Sequence, residues 1–195
     1  GKLSAKLALP GLYNIYNALA GSSLGHHFGL SEEDLVYVLE GFECGFGRME
    51  SVKVMDREIK MILVKNPTGF NQVLRYLLTQ TNHCCVALAL NDKLADGTDI
   101  SWIWDADLEI LAFMQEKIRS FLVSGIRAED MALRLKYAGI PEKRIKIEHD
   151  ENKLIDEAIQ SVKEKETVYL LPTYTAMLDI RKIMKERYRL KDFWK

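Results

Sequence analysis

Short apolar runs alternate with longer amphipathic segments through most of the chain. The apolar runs are Cys84–Asn91, Ile118–Gly125 and Thr167–Tyr174, with a shorter one in "RIKIEHD". Continuous runs of this length predict strands buried on both faces. The segments between them, such as "RAEDMALRLKYAG" and "NKLIDEAIQSVKEKE", place apolar residues at helical spacing. Gly139 and Pro141 end the first of these helices, and Asn152 is expected to cap the second. Strands that alternate with helices predict an α/β fold with a mostly parallel sheet flanked by helices.

The beginning of the chain follows a different pattern. The segment Leu12–Gly29 has helical spacing and is expected to end near Gly21 or Gly25, and Ser31 is placed to cap a second helix that reaches about Glu40. "SVKVMDREIKMILV" alternates as a hairpin with its turn at Asp56–Arg57. The first fifty or so residues are therefore expected to be the end of another domain or a linker to it.

Composition excludes several classes of partner. The 195 residues are 48% hydrophobic and 28% charged, with 27 basic and 28 acidic side chains, which is ordinary for a globular protein. A net charge of −1 gives no argument for nucleic acid or an acidic membrane as partner. No apolar run approaches the roughly 20 residues that span a bilayer. Cys44, Cys84 and Cys85 form no CxxC pair and no metal spacing, so a reducing, cytoplasmic setting and no metal site are expected.

The sequence contains no motif for phosphate binding, for metal binding by histidine or for a reactive thiol. The chain contains no phosphate loop of the form GxxxxGK[ST] and no GxGxxG after a strand, so the main phosphate-binding residues for any nucleotide would lie elsewhere. His26 and His27 have no further ligands at metal spacing. Cys84 and Cys85 lie inside an apolar run, and nothing near them in sequence would lower a thiol pKa.

Two loops follow predicted strands directly, where an α/β sheet usually binds ligands. The first contains "KNPTGFN". The second, the tryptophan segment Asp96–Glu109, sets five acids beside two tryptophans. An ordinary turn explains Asp96 and Gly97 well, but it explains Asp105 and Asp107 less well.

Three polar side chains before the sheet have two interpretations each. Asn14 and Asn17 lie three residues apart on one helix face, so they would either make structural polar contacts or face a nucleobase or ribose. Arg48, in "GFGRME", would belong to a surface loop or would bind phosphate from a hinge.

These residues together carry a resemblance. "LPGLYNIYNALA", "GRME" and "KNPTGFN" resemble the C-terminal part of Mur ligases, the ATP-dependent enzymes that build peptidoglycan precursors. "LNDKLADGTDISWIWDADLE", "SGIRAEDMALRLKYAGI" and "LLPTYTAML" are similar to the MurT family, the synthetase subunits of lipid II isoglutaminyl synthase. The matching blocks run from about Leu9 to Leu178. The resemblance implies a Rossmann-like Mur ligase C-terminal domain over residues 48–195, and the end of a middle domain with the hinge over residues 1–47.

The resemblance also implies an activity, with ATP and Mg²⁺ as cofactors. MurT uses ATP to activate the α-carboxyl of D-glutamate in lipid II, and a GatD-type glutamine amidotransferase supplies ammonia through a Cys–His pair. The product is D-isoglutamine. The membrane would be contacted only through the lipid-linked substrate.

Site residues follow from the resemblance position by position. Asn14 and Asn17 match the helix near adenine, Arg48 matches the hinge arginine, and Asn66 lies where related ligases often carry an acid. In the tryptophan segment, one acid is similar to the aspartate that completes a Cys–His–Asp triad with the amidotransferase. Asp105 is the first choice because flanking tryptophans would hold its backbone, and Asp107, Asp99 and Asp96 follow.

The sequence departs from the family pattern in one respect. The family's phosphate loop, its magnesium ligands and a four-cysteine zinc insertion belong to the middle domain, before the position of Leu9, and this sequence contains none of them. The chain alone is therefore expected not to hydrolyse ATP. Two other interpretations stay open: the end of an amino-acid-adding ligase related to folylpolyglutamate synthetases, and an interaction module without chemistry, because Trp is enriched at interface hot spots.

Overall fold

The structure, a computed structural model, describes residues 4–7, 11–42 and 48–188. The chain divides into two compact units between Cys44 and Gly45. This division lies close to the predicted boundary at residues 47 and 48, and the assignment of the first part to a middle domain stays a prediction. Among the helices that the structure describes, none is both long enough and apolar enough to cross a membrane.

The first unit contains two helices, α1 (Leu12–His27) and α2 (Glu32–Gly41). Ser31 caps α2 as predicted: its hydroxyl accepts from the Asp34 N–H, and the Asp34 carboxylate accepts from the Ser31 N–H. The prediction that α1 ends near Gly21 or Gly25 was wrong. A glycine inside a helix costs about 1 kcal/mol without ending it, and α1 ends instead just before Gly29, whose φ of 85° suits glycine.

The second unit is built on one six-stranded sheet in the order β1-β2-β6-β3-β4-β5. The strands are β1 (Arg48–Val54), β2 (Arg57–Ile62), β3 (Cys84–Ala89), β4 (Ile118–Ser124), β5 (Ile145–Ile147) and β6 (Thr167–Pro172). Only the β1–β2 pair is antiparallel, and every other neighbouring pair is parallel. The predicted mostly parallel sheet is confirmed, although the hairpin turn lies at Met55–Asp56, one residue earlier than expected.

Helices cover both faces of the sheet. They are α3 (Pro67–Leu78), α4 (Glu109–Phe113), α5 (Ala128–Tyr137), α6 (Glu151–Ser161) and α7 (Tyr174–Tyr188). Alternate residues of β3 enter two different cores: Val86 and Leu88 pack with α3, α4 and α5, whereas Cys85 and Ala87 pack with α6 and α7. This alternation explains why the strand reads as a continuous apolar run.

The cap of α6 and an ion pair of α7 were not predicted from the local sequence pattern. The cap of α6 is Asp150 and not Asn152, because the Asp150 carboxylate accepts from the N–H groups of residues 152 and 153. Arg181 of α7 forms a two-pronged ion pair with Glu50 of β1, at 2.9 and 3.0 Å, and both side chains are largely buried.

Candidate functional site

The carboxyl ends of the parallel strands bring the predicted loops to one edge of the sheet. Asn66 follows β2, the tryptophan segment follows β3, Gly125 follows β4 and Thr173 follows β6. This is the edge at which open α/β sheets place their ligands.

A hydrogen-bonded relay ties these loops together. The buried amide of Asn91 donates from Nδ2 to the Thr175 hydroxyl at 2.9 Å, and that hydroxyl donates to Oδ2 of Asp96 at 2.6 Å. The other Asp96 oxygen accepts from the Thr175 N–H at 2.7 Å, at the beginning of α7. Oδ1 of Asn91 accepts from the Ile126 N–H at 2.9 Å, so the loop after β4 joins the same relay. Asp96 therefore holds the start of the tryptophan segment against α7.

Asp99 has a local structural contact as well. Its Oδ1 accepts from the Ser101 N–H at 2.8 Å, where a 3₁₀ helix, Ser101–Trp104, begins. This backbone hydrogen bond lowers the pKa of the exposed Asp99 carboxyl below its ordinary value. Asp99 and Asp96 thus both have structural contacts within the described part of the chain.

The two tryptophans have different environments. Trp102 packs edge-on against the fully buried Phe70, with ring centroids 6.2 Å apart, and contributes to the core. Trp104 is 49% exposed and lies edge-on to Tyr137 of α5 at 5.6 Å. Trp102 and Ile103, which is 1% exposed, therefore anchor the segment in the core, whereas Trp104 packs against α5 at the surface.

Asp105 lies immediately after the 3₁₀ helix. Its N–H donates to the Trp102 carbonyl at 3.1 Å, which fixes its backbone. Its exposed carboxylate forms no hydrogen bond or ion pair with any residue in the described ranges. Asp107 is similar: its N–H donates to Oδ1 of Asn71 on α3 at 2.8 Å, and its exposed side chain likewise contacts no described polar group.

The predicted nucleotide-contacting residues are distributed over both units. Asn14 and Asn17 lie on α1, where Asn14 is buried and Asn17 is exposed. Arg48 begins β1, and its side chain lies outside the described residues. Asn66 caps α3 in the second unit, because its Oδ1 accepts from the Gly69 N–H at 2.8 Å. That bond occupies its acceptor and leaves the Asn66 NH₂ group as the donor that could meet a phosphate oxygen.

Metal and thiol chemistry have little support in the described ranges. No group of three or more His, Cys, Asp or Glu side chains there could hold a metal ion. Burial raises the pKa of both the Cys84 and the Cys85 thiol to about 12, so both are protonated at neutral pH, as expected for inert core residues. Cys44 lies outside the described residues.

Sequence reasoning missed Asn91, Thr175 and Arg134. Arg134 is 3% exposed and donates to the backbone carbonyls of Ile103 and Ala106 in the tryptophan segment. One signal was available, because Arg134 stands three residues after Met131 on the apolar stripe of α5, where an unpaired charge would be costly.

Comparison with known proteins agrees with this architecture. A sequence model of the MurT ligase C-terminal family matches residues 63–177, which is more than half of the chain. The lipid II isoglutaminyl synthase (glutamine-hydrolyzing) subunit MurT of Streptococcus pneumoniae is 32% identical over 183 residues, covering 93% of this chain and 40% of the relative. The MurT subunit of Staphylococcus aureus (strain COL) is 34% identical over 171 residues, covering 88% of this chain and 38% of the relative. The chain thus spans about two fifths of these relatives.

Solved structures show the same fold at lower sequence identity. The folylpolyglutamate synthase of Mycobacterium tuberculosis, complexed with ADP and AMPPCP, gives a TM-score of 0.67 at 19% identity, covering 91% of this chain and 41% of that one. The UDP-N-acetylmuramate-alanine ligase MurC of Thermotoga maritima also gives 0.67 at 19% identity, covering 96% and 40%. At 19% identity these likenesses show a shared fold. Because the family model covers more than half of the sequence, the chain belongs to the MurT ligase C-terminal family.

Proposed function

We propose that this chain is the C-terminal part of an ATP-dependent ligase subunit that amidates the D-glutamate α-carboxyl of lipid II. The proposal rests on family membership and on the names of the relatives, which are subunits of a glutamine-hydrolysing lipid II isoglutaminyl synthase. ATP phosphorylates the carboxylate, ammonia attacks the carbonyl carbon, and phosphate leaves as the amide forms. A GatD-type glutamine amidotransferase is the proposed source of ammonia.

The observation that carries the proposal is the state of Asp105. Its backbone is held between the buried residues Ile103 and Ala106, while its carboxylate is exposed and unpaired within the described part of the chain. A carboxylate in this state is suited to accept a hydrogen bond from an imidazole of another protein. Such a bond orients the imidazole and stabilises its cationic form, which is the role of the third member of a Cys–His–Asp triad.

ATP would be bound mainly by residues other than those described. Asn14, Asn17, Arg48 and Asn66 are proposed to contribute polar contacts to the nucleotide, and of these the Asn66 NH₂ group and the exposed Asn17 amide are open to such a role. The chain has no phosphate loop, so we expect this chain alone to show no ATP turnover above a heat-treated control. Mg²⁺ would accompany ATP outside the described residues.

The test uses the full-length ligase subunit with its amidotransferase partner and measures glutamate release from glutamine. Asp105→Asn keeps the shape of the side chain but removes the charge that stabilises an imidazolium, so glutaminase activity should fall by about 10²- to 10⁴-fold. Asp107→Asn is the matched control, since it removes an exposed and unpaired carboxylate two residues away. Its activity should stay within about twofold of the parent, as for a surface charge without a role.

Three outcomes separate the interpretations. A complex with activity lost only in Asp105→Asn supports the proposed triad. A complex in which Asp105→Asn keeps full activity indicates an interaction surface without a catalytic aspartate at this position. Failure of the parent subunit to bind any amidotransferase, combined with addition of a free amino acid to a carboxylate substrate, indicates an amino-acid-adding ligase.

A further inference from the structure

Arg134 holds the backbone on both sides of Asp105. Its Nε donates to the Ile103 carbonyl at 3.1 Å, and its Nη2 donates to the Ala106 carbonyl at 2.8 Å. These two carbonyls bracket Trp104 and Asp105 in the chain. The rigid fork of a guanidinium fixes the distance between its acceptors, so a single side chain sets the path of the loop.

The same guanidinium also contacts the Trp104 side chain. Its central carbon lies 5.5 Å from the Trp104 ring centroid, within the range of a cation–π interaction. Tyr137, three residues later on α5, meets the same ring edge-on at 5.6 Å. Trp104 is therefore held by two residues of one helix although half of its surface is exposed.

All the hydrogen-bond acceptors described for the Arg134 guanidinium lie between residues 103 and 109 of the tryptophan segment. Its side chain is 4% exposed, and besides the two carbonyls it pairs with the Glu109 carboxylate at 2.9 Å. Carbonyls in the last turn of a 3₁₀ helix have no partner within the helix and carry partial negative charge. The buried cation thus satisfies the end of the 3₁₀ helix at the point where Asp105 emerges.

We propose that Arg134 is a positioning residue for Asp105 and that it acts on the partner's glutaminase activity through the backbone at residues 103–106. This inference rests on the proposed function. The Asp105 carboxylate has no side-chain contact of its own in the described ranges, so its position depends on the backbone that Arg134 holds. A misplacement of about 1 Å costs up to 10²-fold in rate when a group must meet a reacting partner.

The chain contains a close structural match to serve as a control. Arg144 donates from Nη2 to the carbonyls of Gln115 and Ile118, at 3.0 and 2.5 Å, and lies 5.5 Å from the ring centroid of the buried Phe121. It supports the beginning of β4, at the opposite edge of the sheet from the tryptophan segment. Replacing either arginine removes a guanidinium from two carbonyls and an aromatic ring, and because Arg144 is only partly buried and has no carboxylate partner like Glu109 among the described residues, its loss of stability should be the smaller of the two.

The experiment compares Arg134→Lys and Arg144→Lys in the full-length subunit with its amidotransferase partner. Lys keeps the charge and loses the fork. Both variants should lower the melting temperature, but only Arg134→Lys should reduce kcat for glutamine hydrolysis, by about 10- to 100-fold. Arg134→Met, which also removes the charge, should reduce kcat at least as far. If Arg134→Met does not fold, the Lys variant carries the test.

A double-mutant cycle with Asp105→Asn separates positioning from general destabilisation. In the Asp105→Asn background, Arg134→Lys should lower kcat by less than about twofold, because the group that it positions has lost its role. The inference is overturned if Arg134→Lys alone matches Arg144→Lys in kcat, or if its full loss persists beside Asp105→Asn. Full activity of Asp105→Asn itself overturns the proposed function and this inference together, whereas a loss in Asp105→Asn with none in Arg134→Lys overturns only the inference.

Discussion

Thr175 is the centre of the relay that joins the tryptophan segment to the sheet, and Thr175→Val tests it with little change of shape. The substitution replaces the hydroxyl by a methyl group of similar size and keeps the β-branch. The Thr175 N–H continues to donate to Oδ1 of Asp96, so the beginning of α7 keeps one of its two contacts with that carboxylate.

The expected cost follows from the two bonds that the hydroxyl makes. The bond from Nδ2 of Asn91, at 2.9 Å, joins neutral groups and is worth about 1 kcal/mol. The bond to the Asp96 carboxylate, at 2.6 Å, is short and charge-assisted, and such bonds contribute roughly 1.5–3 kcal/mol. Because Thr175 is only partly buried, water replaces some of this loss. We expect the free energy of unfolding to fall by about 2–3 kcal/mol, which for a domain of this size lowers the melting temperature by roughly 4–12 °C.

Chemical denaturation followed by tryptophan fluorescence measures this loss. Trp102 and Trp104 belong to the second unit, so their signal reports the unit that contains the relay. Thr68→Val is the matched control, since Thr68 is the exposed second residue of α3 as Thr175 is the second residue of α7. If the two variants lose the same free energy within about 0.5 kcal/mol, the usual range for a surface substitution, the Thr175 hydroxyl does not stabilise the segment.

Two further predictions concern pH and backbone strain. Burial, with the nearby Asp179 carboxylate second, raises the pKa of Glu151 from 4.5 to about 7. The native state therefore keeps a proton that the unfolded chain releases, so this group lowers stability as pH rises from 4.5 to 7. Glu151→Gln should equal the parent near pH 4 and exceed its free energy of unfolding by about 1 kcal/mol at pH 8, since screening at this partly exposed site reduces the effect. An equal difference at both pH values would contradict this. Gly125→Ala should cost at least about 3 kcal/mol, because its φ is +93° and its Cβ would lie 2.4 Å from the Leu90 carbonyl oxygen. Gly97→Ala, at φ +87° with open space, should cost only about 1–2 kcal/mol, and equal losses would show that strain rather than the clash dominates.

The local pattern of apolar residues predicts the strands and helices of this fold, because a buried strand is continuously apolar whereas a helix has apolar residues every three or four positions. The continuous apolar run of β3 and the three- and four-residue spacing in α5 are visible in any short window. Local pattern gives no information on the position of β6, the last strand in sequence, which pairs with both β2 and β3 near the middle of the sheet. The place of β6 in the sheet depends on its pairing with β2, in which partners such as Glu58 and Thr167 are more than one hundred residues apart in sequence.

The candidate site shows the same division. The sequence singles out Asp105 because an acid beside tryptophans is unusual. It does not single out Arg134 or Thr175, whose roles depend on contacts with residues 31 and 79 positions away. A side chain that satisfies a distant carbonyl or carboxylate leaves no periodic signal, and only the folded chain reveals it.

The ion pair between Glu50 and Arg181 attaches α7 to β1, in addition to the attachment of α7 to the tryptophan segment. The helix is fastened near its middle to β1 and at its beginning, through Thr175 and Asp96, to the tryptophan segment. The two attachment points, Thr175 and Arg181, lie on one continuous helix. Through these contacts α7 links β1, the strand with which the second unit begins, to the start of the segment that presents Asp105.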